Sequence, residues 1–170
     1  MAKITKFMIT DFKKFKASWE KDAGTPENTI IYYLIAALNL KKNKKVGEAM
    51  MTIVISKKDC KEDGRSPSGL KMASRAQYFA DHFLENPNSA QSYLGGTWEN
   101  DYKYSKSKLT LTKVREVKHG KGLKIFIESG GRDNPVPCQL QKNSSGQWKL
   151  TEYSSFCMDV KPTKTEQGDF

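Results

Sequence analysis

Arginine is scarce in a chain that is otherwise strongly basic. Of 29 basic residues only Arg65, Arg75, Arg115 and Arg132 are arginines, and the net charge is +10. Bidentate recognition of a base edge or a phosphate favours the planar guanidinium fork over a lysine point charge. The composition therefore argues against specific nucleic-acid recognition, while leaving room for non-specific binding or for an acidic protein partner. Cysteine is rare too: Cys60, Cys138 and Cys157 form neither a C-x-x-C motif nor a paired framework. Free thiols suit a reducing compartment, so the expected location is cytoplasmic. Only two histidines occur, His82 and His119, and neither has a second ligand at zinc spacing, so no metal site is expected.

Long apolar runs are missing as well. The longest, Ile30 to Leu38, falls far short of the ~20 residues that span a bilayer, which argues for a soluble protein without a membrane span. Met1 to Lys16 alternates lysines with single apolar residues and has no apolar core of the kind a secretory signal carries. Neither G-x-x-x-x-G-K-[ST] nor G-x-G-x-x-G is present, so no cofactor is expected. A Cys-His-Asp hydrolase could be drawn from Cys138 or Cys157, His82 or His119, and Asp133. No nucleophile motif supports it, and no catalytic residue is assigned.

What is present divides at about residue 100. Before it, apolar residues recur at helical spacing. Thr10 or Asp11 can cap a helix bearing Phe12, Phe15 and Trp19, closed by Gly24. Thr25-Pro26-Glu27 offers a capping hydroxyl, a proline at the first helical position and an acid in the first turn. The residues that follow, Ile30 to Leu38, are apolar all round, as in a helix enclosed on several sides. Lys41, Lys42, Lys44 and Lys45 fall where cations complement its C-terminal dipole. Further helices are expected over about Val46–Ile55 and Leu70–Leu84, the latter bearing Met72, Ala76, Phe79 and Phe83. The charged stretch Lys57–Gly69 between them reads as an exposed loop, and Asn86-Pro87-Asn88 ends the fourth helix.

After residue 100 the period becomes two. Leu109, Leu111 and Val114 to Val117 suggest a strand bulged where the alternation slips. Leu123, Ile125 and Ile127 form a second, Val136, Cys138 and Leu140 a third, and Trp148 and Leu150 open a fourth; Phe156 to Val160 could add a fifth. Turn residues lie between them at His119-Gly120-Lys121-Gly122 and Asn143-Ser144-Ser145-Gly146. The fold class is therefore α+β: four N-terminal helices (residues 7–85) packed on a C-terminal antiparallel sheet of about four to five strands (105–161). One domain is expected over 1–161, with a flexible tail at 162–170. Ile31, Leu34, Ile35, Leu38, Ile125, Ile127, Leu140 and Leu150 should form its core.

Three stretches carry a family resemblance. They are Asn86-Pro87-Asn88 through Ser92-Tyr93-Leu94-Gly95-Gly96-Thr97-Trp98-Glu99-Asn100, then Ser129-Gly130-Gly131-Arg132-Asp133-Asn134-Pro135-Val136-Pro137, and Trp148-Lys149-Leu150-Thr151-Glu152-Tyr153-Ser154-Ser155. Over about residues 86–160 the chain resembles an uncharacterised bacterial family, a domain of unknown function. The resemblance implies a bacterial or phage origin and a compact C-terminal unit, and it brings no activity with it.

The same stretches supply the candidate ligand-binding residues. Tyr93, Trp98 and Glu99 surround the first glycine pair, and Arg132 and Asp133 follow the second. Glu152 and Tyr153 interrupt the apolar alternation at a strand end, as exposed termini or pocket walls do. The bland alternative is that Tyr93 and Trp98 staple a loop to the sheet while Arg132 and Asp133 pair locally. Two classes of function follow. The first is a non-enzymatic interaction module with an acidic protein partner. The second is a pocket protein with a curved sheet around a small ligand, enzymatic or not, for which Glu99, Arg132, Asp133, Glu152 and Tyr153 would have to line one concavity. A non-specific nucleic-acid binder is a further alternative.

Overall fold

A computed structural model describes residues 1–169. Asp11 caps the first helix, α1 (Phe12–Asp22), accepting the Lys14 amide at 2.9 Å, and Phe15 and Trp19 are its buried face. Proline opens α2 (Pro26–Lys42), although the Thr25 hydroxyl at its N-cap makes no capping bond. From Thr29 to Ala37 every side chain of α2 is buried, and the helix touches α1, α3 (Lys44–Val54), α4 (Ser74–Glu85) and α5 (Pro87–Ser92). Asn43 ends α2 and caps α3. Lys41 and Lys42 thus sit in the last turn of α2 as the dipole argument requires, but Lys44 and Lys45 open α3 at its unfavourable end.

The main sheet has five strands in the order β1 (Ala2–Lys6), β4 (Leu109–His119), β5 (Gly122–Ile127), β6 (Val136–Lys142) and β7 (Trp148–Glu152), all neighbours antiparallel. The expected bulge lies in β4, where the register slips between Lys113 and Arg115. Ile125, Ile127, Val136, Cys138, Leu140 and Leu150 face inward and join the buried helical residues in one continuous core. The fold is α+β, with helices mostly N-terminal. β7 is tied to the helices at both ends. Trp148 gives its N–H to Ala23 O at 2.8 Å and accepts the Thr29 hydroxyl at 2.7 Å, and the chain leaving α3 runs along its free edge through Ser56 N–H to Leu150 O.

Several local expectations are corrected. The N-terminal segment forms β1, an edge strand from the helical half that covers only the Leu109–Lys113 part of β4. The stretch Lys57–Gly69 is not one loop, because Cys60–Glu62 (β2) pairs with Leu70–Met72 (β3) in a small hairpin. Leu70 and Met72 are therefore strand residues, and α4 starts at Ser74. Pro87 ends α4 but begins α5, since proline suits a first helical position. Ser154–Cys157 forms a 3-10 turn in place of a fifth C-terminal strand. Within the tail, Lys164–Gly168 is a short helix, α6, capped by Thr163 and held by Thr165 N–H to Asp101 Oδ1 at 3.1 Å; Phe170 lies outside the described residues. Leu38 is only partly buried, where α2 meets solvent again after the enclosed stretch Thr29 to Ala37.

Because Leu34 has no exposed surface, Leu34→Ala should destabilise the protein by ~2–5 kcal/mol, the range for a deleted core leucine. Chemical denaturation reads this directly, and a loss under ~0.5 kcal/mol would contradict the enclosed helix.

Candidate functional site

The seven candidate residues fall into two groups. Glu152 and Tyr153 end β7, where the chain turns into the 3-10 segment. The Tyr153 ring is fully buried, with its centroid 5.2 Å from that of Tyr33 and 5.4 Å from that of Phe79, and its hydroxyl donates to Asp59 Oδ2 at 2.7 Å. Arg75, in the first turn of α4, donates to the same oxygen at 2.8 Å, to Thr151 O at 3.0 Å and to Glu152 Oε2 at 3.2 Å. Its guanidinium carbon stands 5.2 Å from the Tyr153 ring centroid. One cation thereby joins α4, β7 and the 3-10 turn Lys57–Asp59.

The electrostatics follow from these contacts. Burial disfavours the Arg75 charge, but the hydrogen bond and charge of Asp59 outweigh it and raise its pKa. Burial also works against ionised Glu152, yet the Ser154 hydrogen bonds, with the Arg75 charge, hold its carboxyl below the usual range. Burial first, then the bond to Asp59, drive the Tyr153 phenol far upward, so it is a neutral donor. These groups are engaged with one another. A neutral phenol and a committed guanidinium form a clamp, and neither is a poised base.

Tyr93, Trp98, Glu99, Arg132 and Asp133 make up the second group, where the two glycine pairs meet. Gly130 donates to Ser92 O at 2.7 Å and accepts from Trp98 N–H at 3.0 Å. A Cβ on Gly130 would overlap the Gly96 carbonyl, and one on Gly131 would overlap the Tyr102 hydroxyl. The approach is possible because neither residue has a side chain. Tyr102 in turn donates to Lys161 O, whose own N–H donates to Gly131 O at 3.0 Å. Arg132 reaches Ser155 O at 3.3 Å and Asp159 O at 3.4 Å. The buried Tyr93 hydroxyl lies 3.5 Å from Ser155 O, with its ring edge-on to Phe156. Asp133 pairs with Lys161, whose ammonium is 6.0 Å from the Trp98 ring centroid, and Glu99 is exposed.

The groups communicate only beneath the surface, through the turn that carries Tyr153 and Phe156 against Tyr33. An open hollow of about 300 Å³ touches Tyr93 and the Gly95–Thr97 loop, but not Arg132, Asp133, Glu152 or Tyr153. Sequence reasoning missed Asp59 and Arg75, the centre of the first group. Arg75 stood out only as one of four arginines. It also missed Tyr33, whose buried hydroxyl has no partner among the described residues. His82 packs 4.3 Å from the Tyr78 ring, and His119 is exposed at the β4–β5 turn. Burial raises the Cys157 thiol to about 11 and Cys138 further still. Among the described residues no group of three or more His, Cys, Asp and Glu side chains could hold a metal ion, and no helix is long and apolar enough to cross a membrane.

The fold and these contacts define an α+β protein in which a C-terminal turn is clamped to the helices by arginine and tyrosine. The chain belongs to the family described as Domain of unknown function (DUF6935), which matches residues 9–164 and so includes the helical half as well as the 86–160 stretch. No curated protein and no solved structure matches it.

Arg75→Ala should cost about 1–2 kcal/mol, less than a fully buried charged hydrogen-bond network because the side chain is 41% exposed. Glu152 stabilises the fold above its ordinary pKa of about 4.3, and this contribution disappears as pH falls through its lowered folded value. The stability difference between the wild type and Glu152→Gln should accordingly shrink on acidification. A difference independent of pH would show that neither the Ser154 hydrogen bonds nor the Arg75 charge favours ionised Glu152. Gly130→Ala should destabilise by ~1–3 kcal/mol, the usual cost of overpacking, and an unchanged denaturation midpoint would contradict the close approach to Gly96.

Proposed function

We propose that the protein is a non-enzymatic interaction module that binds an acidic protein partner through its lysines. The observation that carries this reading is the pattern of ion pairing. Among the described residues only Lys6, Lys16, Lys44, Lys113 and Lys161 of the 25 lysines stand within 4.0 Å of a carboxylate. The remaining ammoniums are available to an outside anion, and a net charge of +10 steers such a partner toward them. Binding of this kind needs no catalytic constellation. It is also compatible with Glu152, Tyr153 and Arg132 being spent on internal contacts.

A fluorescent oligoglutamate peptide, followed by anisotropy against salt, tests the reading. Binding should be measurable at low salt and weaken progressively as salt screens it. No binding at low salt would overturn it. Duplex DNA is the discriminating competitor. Its binding should be weak and should vanish near ~0.15 M salt, because counterion release without arginine readout gives only non-specific affinity. Submicromolar duplex binding at that salt would replace the acidic protein by nucleic acid.

A further inference from the structure

The turn joining β6 to β7 faces the segment leaving α3 across an open concavity of about 470 Å³. Lys57 and Lys58 stand on one wall, Lys142 and Lys149 on the other, and every other wall residue is a neutral Ser, Thr, Asn or Gln. None of the four ammoniums has a carboxylate within 4.0 Å among the described residues. Four cations around one small space repel one another, and no acid in the walls offsets that repulsion.

Lys149 is the anchored member. Its ammonium donates to Ile53 O at 2.6 Å and Ile55 O at 3.4 Å, closing the end of α3, and lies 5.1 Å from the Trp19 ring centroid. Two of its three N–H groups are thus committed, and the third has no acceptor among the described residues. Burial lowers its pKa to about 8, with the Lys57 charge adding to the effect. A bound anion would offset both penalties. Lys142 is steadied over Trp148, 5.3 Å from the ring centroid.

We propose that this concavity binds a compact anion carrying more than one phosphoryl group, held by Lys57, Lys58, Lys142 and Lys149. Its volume lies within the ~300–1,000 Å³ of small-ligand clefts, but its lining is polar and cationic. A terminal phosphoryl group concentrates about −1.5 to −2 charges in a small volume, whereas carboxylates on a peptide spread their charge along a chain. Lysine serves phosphate as a point charge where no arginine fork is available. The site draws on four of the unpaired lysines that also serve the acidic-partner reading, and goes beyond it by naming a distinct ligand chemistry.

Calorimetric titration of the full chain with inorganic tripolyphosphate at ~0.15 M ionic strength tests the proposal. Lys57, Lys58 and Lys142 are exposed, so K57Q/K58Q/K142Q leaves the core and the Lys149 anchor intact. The wild type should bind with a saturable single-site isotherm, and this variant should lose about tenfold or more in affinity, as expected when several charge-assisted contacts go. K41Q/K42Q/K44Q/K45Q removes one more charge elsewhere and should stay within about twofold, the change that long-range screened charges produce. Absence of saturation, or equal weakening in both variants, would overturn the site. So would oligoglutamate binding in the concavity as tightly as tripolyphosphate. Oligoglutamate binding without tripolyphosphate saturation would remove the phosphoryl site and leave the acidic-partner reading standing.

Discussion

A seventeen-residue helix with no polar face has to be enclosed, and the rest of the fold is arranged around that requirement. α2 meets helices on several sides and β7 on another, so the two halves of the chain share one core. The few polar groups on α2 are paired where they enter it. Thr29 accepts from the Trp19 indole at 3.1 Å and donates its hydroxyl to Trp148 O, and Asn39 donates to Ile9 O and Ile35 O. Unpaired, such groups would each cost about 1–3 kcal/mol. Paired, they fix the angle at which α1 and β7 approach the helix. The Tyr33 hydroxyl is the exception, without a partner among the described residues under the turn that covers it.

That turn explains why so many polar residues gather where the apolar alternation ends. Residues 153–161 run back over the helices without a sheet ladder to satisfy their backbone, so side chains must do so. Ser89 accepts the task for Phe156 O and Met158 O, Arg132 for Ser155 O and Asp159 O, and Tyr102 for Lys161 O. The glycine pairs serve the same end by letting two loops touch through their backbones. The polar clusters that invite a functional reading are, in this fold, the fastenings of an irregular segment.

The sequence disclosed these features unevenly, for physical reasons. The unbroken apolar run of α2 behind its start signals, and the alternation of β5 and β6, are legible in the sequence alone, and so is the bulge at Lys113. β1 escaped because five residues with three exposed side chains carry little apolar signal; its place is set by pairing with β4 a hundred residues later. The three-residue strands of the β2–β3 hairpin are shorter still. Glu152 and Tyr153 were found through the break in alternation, but their partners were not. Asp59 and Arg75 lie 94 and 77 residues from them and carry no local pattern. Contacts made by single charged side chains across such separations leave no periodicity to read.

The charge distribution adds a last step. Where the structure needs a cation it uses one in a defined contact: Arg75 against Asp59, Lys113 against Glu27, Lys149 against the end of α3. In the Lys113 contact the Glu27 hydrogen bond raises the ammonium pKa, so the pair favours the charged form it requires. Lys149 is the opposite case, since burial lowers its pKa and carbonyl oxygens and the Trp19 ring, with no carboxylate, answer its charge. A cation whose charge is opposed by its surroundings is stabilised by whatever anion can reach it. Lys149 lines an open concavity with three other lysines and no acid, so an anion from outside can answer a charge that its own surroundings oppose.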